Sequence, residues 1–186
     1  DHEVTLWPLQ PPSDLDHYRR GAPDSDDLLA ELRGMFGRTE DEPLPDFSVF
    51  PPEIVEFESL PGTYYDAFPL LLLTSASLRS LAERSPGSAI DVRRFRPNVV
   101  LDTDDDGVWP EQSWIGRRFR LGTAVLEVAC GCPRCVMITL PVAELPADRS
   151  LMRTVVREAD QLVGVYASVV EPGTVGVGDE LVELTR

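Results

Sequence analysis

FRLGTAVLEVA, residues 119–129, reads as one short apolar strand, and it is one of seven such runs, set between turn residues, down the second half of the chain. The other such runs are IVEFESL (54–60), AFPLLLL (67–73), NVVLDT (98–103), CVMITLP (135–141), GVYASVV (164–170) and GTVGVGDELVEL (173–184). Short runs at close spacing, with glycine, proline and aspartate between them, predict an antiparallel sheet that closes on itself rather than alternating strand–helix units. Two helices interrupt the runs. SASLRSLAER (75–84) is capped by Thr74 or Ser75, and LMRTVVREADQLV (151–163) is capped by Ser150.

The first third of the chain is organised differently. Val4 to Trp7 reads as one strand stopped by Pro8. Ser25 and the aspartates after it suit the start of a helix whose Leu28, Leu29, Leu32, Met35 and Phe36 make one apolar stripe, ended by Gly37. TEDEPLPDFSVFPPE (39–53) is acidic and proline-rich and reads as a linker wrapping a body. The division that follows is an N-terminal strand, helix and linker over 1–55 and a β-rich domain over 56–186.

The 186 residues carry a formal charge of −15, which argues against nucleic acid and anionic lipid as partners, since both need a basic surface. No apolar run is long enough to cross a bilayer. No secretory signal is visible after Asp1, and the three cysteines lack the dispersed spacing of a secreted disulfide framework, so a reducing cytoplasm is the expected compartment. Within this acidic chain the arginines cluster at 93, 94 and 96, at 117, 118 and 120, and at 134, which suits collection of an anion.

All three cysteines fall in CGCPRC, 130–135. A structural zinc site needs four ligands, and the two histidines, His2 and His17, are remote. A Cys132–Cys135 redox disulfide has the spacing but not the strand-to-helix setting, because the cysteines are expected to run into a strand. A single working thiolate at Cys135 has the cation Arg134 beside it, and cations favour the thiolate form that soft metals bind. Cysteines that merely fill the core compete with all three readings.

In RRFRPN (93–98), Pro97 is expected to hold Arg96 extended, so that Arg94, Arg96 and Asn98 share one side of a strand. Such a row suits phosphate and a hydrogen-bonding heterocycle, and equally a surface ladder paired with Asp102 to Asp106. Arg93 and Asp91 read as spectators of that kind. Thr74, Ser75 and Ser77 stand at a helix start, where free N–H groups attract anions and where the same residues are ordinary caps. Trp109, Glu111 and Trp114 read as packing residues.

Taken in order, DAFPLLLLTSASL, RFRPN, PEQSWIG, LGTAVLEV, CPRC and the GVYASVV segment with its later glycines resemble the MOSC domain, named for the C-terminal domain of molybdenum cofactor sulfurase. Relatives include the mitochondrial amidoxime reducing component and bacterial hydroxylaminopurine-resistance proteins. The resemblance spans roughly residues 60–182. It implies a fold that is mainly β with a few helices, a closed MOSC-type β-barrel, here with a reduced N-terminal extension. It implies a molybdenum cofactor (molybdopterin), with no pyridoxal phosphate. Cys135 would be the catalytic residue and molybdenum ligand, or would carry sulfur. Arg94, Arg96, Asn98, Thr74, Ser75, Ser77 and Arg134 would bind the cofactor.

The implied reaction is two-electron reduction of an N-oxygenated substrate, with oxygen passing to molybdenum. Alternatives are a persulfide carrier at Cys135 and a cofactor-free barrel that binds a protein. Cofactor-binding relatives carry a YPVKS-like stretch whose lysine meets the cofactor's phosphate; here WPLQP (7–11) sets Gln10 in that place. An iron–sulfur cluster needs four thiolates, so electrons would come from a separate donor protein, or sulfur from a separate donor and to a separate acceptor.

Overall fold

The computed structural model describes residues 5–21, 26–65, 67–104 and 107–185. Its frame is a six-stranded sheet: β1 (Leu70–Thr74), β2 (Val99–Leu101), β3 (Arg118–Leu121), β4 (Ala124–Pro133), β5 (Leu162–Glu171) and β6 (Leu181–Leu184). The spatial order is β2-β1-β5-β4-β3-β6. All neighbours are antiparallel except β1 and β2, which run parallel and are joined through α3 (Ser75–Arg84). FRLGTAVLEVA, expected as one strand, is instead a hairpin, β3 to β4, turning at Gly122 with φ 58°.

The sheet is open, which corrects the expectation of a closed barrel. Its edges, β2 and β6, have no pairing with each other among the described residues, so the sheet is a half-barrel. Two of the expected strands account for the difference. CVMITLP forms a 3₁₀ turn over Val136–Thr139, and IVEFESL contributes the end of a 3₁₀ turn, Pro52–Val55, and a single bridge from Phe57 to Arg19. In CVMITLP apolar residues follow one another without the alternation that a half-buried strand needs, and IVEFESL follows Pro51 and Pro52, which start the 3₁₀ turn instead of a ladder. Residues 5–7 of the expected first strand are not extended ladder, and Val4 and Ser25 lie outside the described residues.

Alternation decides where the core sits. Leu72, Phe119, Leu121, Leu126, Val128, Val165 and Ala167 fill one face of the sheet. Leu73 and Val163, on the other face, pack with Leu81 of α3, with Leu151 and Val155 of α4 (Arg149–Glu158), and with Phe95 and Ile138. Full burial of each such aliphatic side chain is worth about 1.5–3 kcal/mol. Asp148, not Ser150, caps α4, accepting from the Ser150 and Leu151 N–H groups. Thr74 caps α3 as expected.

The N-terminal part holds two short helices, α1 (Leu15–Tyr18) and α2 (Leu28–Phe36). It is tied to the body by polar contacts. Arg153 reaches Glu42 at 3.0 Å, and Arg20 donates to the carbonyls of Ile54 and Phe57 at 3.1 and 3.0 Å. The predicted apolar stripe of α2 is largely exposed at Leu28, Leu29 and Met35. Among the described residues no helix is long and apolar enough to cross a membrane.

Candidate functional site

β4 stops pairing with β5 at Pro133, which has no N–H to give the ladder. The chain then crosses to Cys135, which begins the 3₁₀ turn. On the other side, RFRPN enters β2. A 3₁₀ turn over Val92–Arg94 precedes it, and Arg96 sits in the left-handed region at φ 55°. Asn98 locks onto β1 twice, its N–H donating to Leu71 O at 2.9 Å and its Oδ1 accepting from Leu71 N–H at 2.8 Å. Between these two crossings lies a cavity of about 490 Å³, and Arg96, Asn98, Cys132, Arg134 and Cys135 all line it.

Cys135 is half-buried on this wall, whereas Cys130 and Cys132 are buried. The backbone at Cys135 is extended, with φ −96° and ψ 174°, and Cys132 and Pro133 still belong to β4. The CxxC spans the end of β4 and the start of a 3₁₀ turn rather than running into a strand, and all three cysteines are free. Among the described residues no group of three or more His, Cys, Asp or Glu could hold a metal by itself.

Arg134 is buried at 8% exposure. It donates to Cys132 Sγ at 3.0 Å and to Phe95 O at 2.6 Å, and its guanidinium lies 5.5 Å from the Phe95 ring. Its Nε has no hydrogen-bond partner, an orphan donor in a cavity wall. The guanidinium of the neighbouring Arg96 makes no hydrogen bond or ion pair among the described residues.

The other predicted residues stand elsewhere. Arg94 and Arg96 do not share a strand face. Arg94 is buried, and its donors go to the carbonyls of Ala89, Ile138, Leu140 and Pro146, off the cavity. Arg94 closes the 3₁₀ turn and Arg96 lies beyond it at φ 55°, so the alternation of an extended strand does not relate them. Thr74 and Ser77 give their hydroxyls to the buried Glu111 carboxylate at 2.7 and 2.6 Å, and Glu111 also accepts from Gly164 N–H at 3.2 Å. Ser75 turns outward to Asp102 at 2.7 Å. None of these three lines the cavity. Arg93 pairs with Asp91 and Glu144, as a spectator would, and those hydrogen bonds hold the Asp91 carboxyl down at about 2.

Several wall residues carried no signal in the sequence motifs. The N-terminal part supplies Arg20, Met35, Phe36, Phe47 and Phe50. The body supplies Phe68 and Tyr166, which stack at 5.4 Å and 27°; both lie within sequence motifs, DAFPLLLLTSASL and GVYASVV, which mark them only as strand residues. Two phenylalanines inside an otherwise polar, proline-rich linker are the hint that this linker packs. Gln10 is absent from the wall; its amide folds onto Pro8 O at 2.8 Å, and the cavity-lining cation of this segment is Arg20.

Burial, with a smaller contribution from Cys132, pushes the Cys130 thiol up to about 11. An acid with a raised folded pKa keeps its proton longer in the native state than in the unfolded chain. The stability it contributes is therefore intact below about 9 and is lost as the pH climbs toward 11. Urea midpoints measured across that window should fall more steeply for the wild type than for Cys130→Ala. Parallel curves would refute the assignment.

A family model, the MOSC domain, matches residues 60–182. The chain belongs to the MOSC domain family, which as a family is associated with the molybdenum cofactor. Solved structures it is similar to include YiiM from Escherichia coli (19% identity, TM-score 0.46, 63% of this chain and 54% of that one). Another is YiiM from Geobacillus stearothermophilus (18% identity, TM-score 0.45, 63% and 54%). The chain spans about half the length of these proteins. No curated protein matches it.

Proposed function

We propose that this MOSC protein holds a pterin-based molybdenum cofactor in the cavity and reduces N-oxygenated substrates with electrons from a separate donor protein. The observation that supports the reading is the convergence of Cys135, Arg96, Asn98 and the orphan Nε of Arg134 on one cavity of about 490 Å³. That volume lies in the range of small-molecule sites. The donor set fits the group: a thiol for a soft metal, unpaired guanidinium N–H groups for phosphate, and stacked rings beside them for a planar heterocycle.

When bound, the cofactor would supply a metal that shuttles two electrons. The chain's own share is narrower. Cys135 offers the sulfur ligand. Arg96 and Arg134 neutralise the anionic end, and Asn98 offers its amide NH₂. The aromatic wall keeps water from the reacting atoms. With Arg94 and Thr74, Ser75 and Ser77 engaged in the fold, the reading rests on the four residues of the wall.

A second reading has its own support. Cys135 stands without other metal-ligating side chains in a group of three or more among the described residues, and a persulfide carrier needs only one accessible thiol. One preparation from a host that makes the cofactor separates the two. Molybdenum and extractable pterin near one per chain are expected. Persulfide mass on Cys135 without molybdenum would transfer the case to the carrier. Neither metal, pterin nor persulfide would leave a cofactor-free half-barrel that binds a protein.

A further inference from the structure

Gln161 falls in LMRTVVREADQLV, expected as helix, but α4 ends at Glu158 and Gln161 is fully buried beyond it, in a non-glycine left-handed conformation at φ 67°. Such a conformation persists only where the surroundings over-determine it. They do so here. Its main-chain carbonyl accepts from Arg134 N–H at 2.9 Å, and its side-chain Nε2 donates to Arg134 O at 2.7 Å. Arg134 O is the carbonyl of the peptide that leads into Cys135, so that peptide is held at both ends of the preceding residue. The same Nε2 donates to Phe36 O at 2.8 Å, and Oε1 accepts from Arg38 Nε. Phe36 lines the opposite, N-terminal wall of the cavity.

We infer that Gln161 is a positioning residue: it fixes the approach to Cys135 and fastens the N-terminal wall to it, setting thiol direction and cavity width together. The inference rests on the reading of Cys135 as the working sulfur. It assigns the effect to one half of the amide. Both bonds to the cavity walls come from the Nε2 donor, while the Oε1 acceptor serves only Arg38 among the described residues.

The two halves can be separated by substitution in the full chain, with iodoacetamide alkylation of each cysteine followed by peptide mass spectrometry. Gln161→Glu keeps the acceptor for Arg38 and loses the donor; Arg38→Met removes the acceptor's partner and keeps the donor. Gln161→Glu should change the alkylation rate of Cys135 by about fivefold or more while Cys130 stays slow, since only a local opening is needed to expose one segment. Arg38→Met should stay within about twofold of the wild type. A role in stability alone would lower the melting temperature and raise all three cysteines together.

That parallel rise would overturn the inference, as would no change in Gln161→Glu or an equal change in Arg38→Met. If Gln161→Glu does not fold, Gln161→Leu takes its place with the same outcomes. The readout needs no cofactor, so its failure leaves the molybdenum reading to be judged by metal content.

Discussion

Replacing Cys135 with serine is expected to cut molybdenum retention at least about tenfold, which corresponds to about 1.4 kcal/mol of binding. The melting temperature should hardly move. Serine is close to cysteine in volume and the thiol is half-buried on a cavity wall rather than packed in the core, so no large void opens. The loss lies in the donor atom. A hydroxyl is a hard, weakly acidic ligand, and a soft metal centre gains little from it.

Cys132→Ser is the internal control. It keeps the ligand but loosens Arg134, whose guanidinium rests on Cys132 Sγ at 3.0 Å. That variant should therefore retain molybdenum and release it faster. Full metal content in Cys135→Ser, per folded chain, would remove the ligand role, and with it the distinction drawn between one working cysteine and two neighbours.

The sequence made the strands of the body legible where apolar residues alternated. FRLGTAVLEVA still reads as one strand, because Gly122, the glycine that turns it into a hairpin, sits inside the apolar run. Closure was not legible. Whether β2 and β6 meet is decided by sheet curvature and by which stretches join, and CVMITLP looked like a strand only because it is apolar. Its role is to end β4 and turn the chain at the cavity, which Pro133 and the 3₁₀ turn accomplish.

Two residues of the candidate site were marked by the family resemblance. Cys135 and Arg96 were matched from motifs 39 residues apart, and both line one cavity. Gln161 and Arg20 were invisible, because their effect comes from long-range main-chain contacts that leave no local pattern. The N-terminal segment shows the same limit. Read as a linker, it forms a wall, and polar links hold it there: Arg153 to Glu42, and Gln161 to Phe36 O and Arg38.

Arg94 and Arg96 supply the sharpest contrast, and Arg94→Met is expected to destabilise the fold by about 2–4 kcal/mol in urea titration, the range for losing several hydrogen bonds from one buried charged donor. Arg94 is 2% exposed, and it donates to four main-chain carbonyls, of which Leu140 O and Pro146 O are closest at 3.0 and 2.7 Å. Three of the four, on Ile138, Leu140 and Pro146, belong to the loop that follows Cys135. Methionine fills much of the volume and offers no donor, so the buried Ile138 O is left unpaired at a cost of about 1–3 kcal/mol, and the part-buried carbonyls of Ala89, Leu140 and Pro146 lose a charged donor.

Arg94→Lys should fall between the two, because an ammonium group keeps the charge but cannot reproduce the planar fork. Arg96→Met should shift stability by no more than about 0.5 kcal/mol, as exposed substitutions do. Its effect should appear instead in weaker pterin and molybdenum retention. If Arg94→Met costs less than about 1 kcal/mol, the guanidinium is not what holds the loop behind Cys135, and the segregation of one arginine to the fold and the other to the cavity fails.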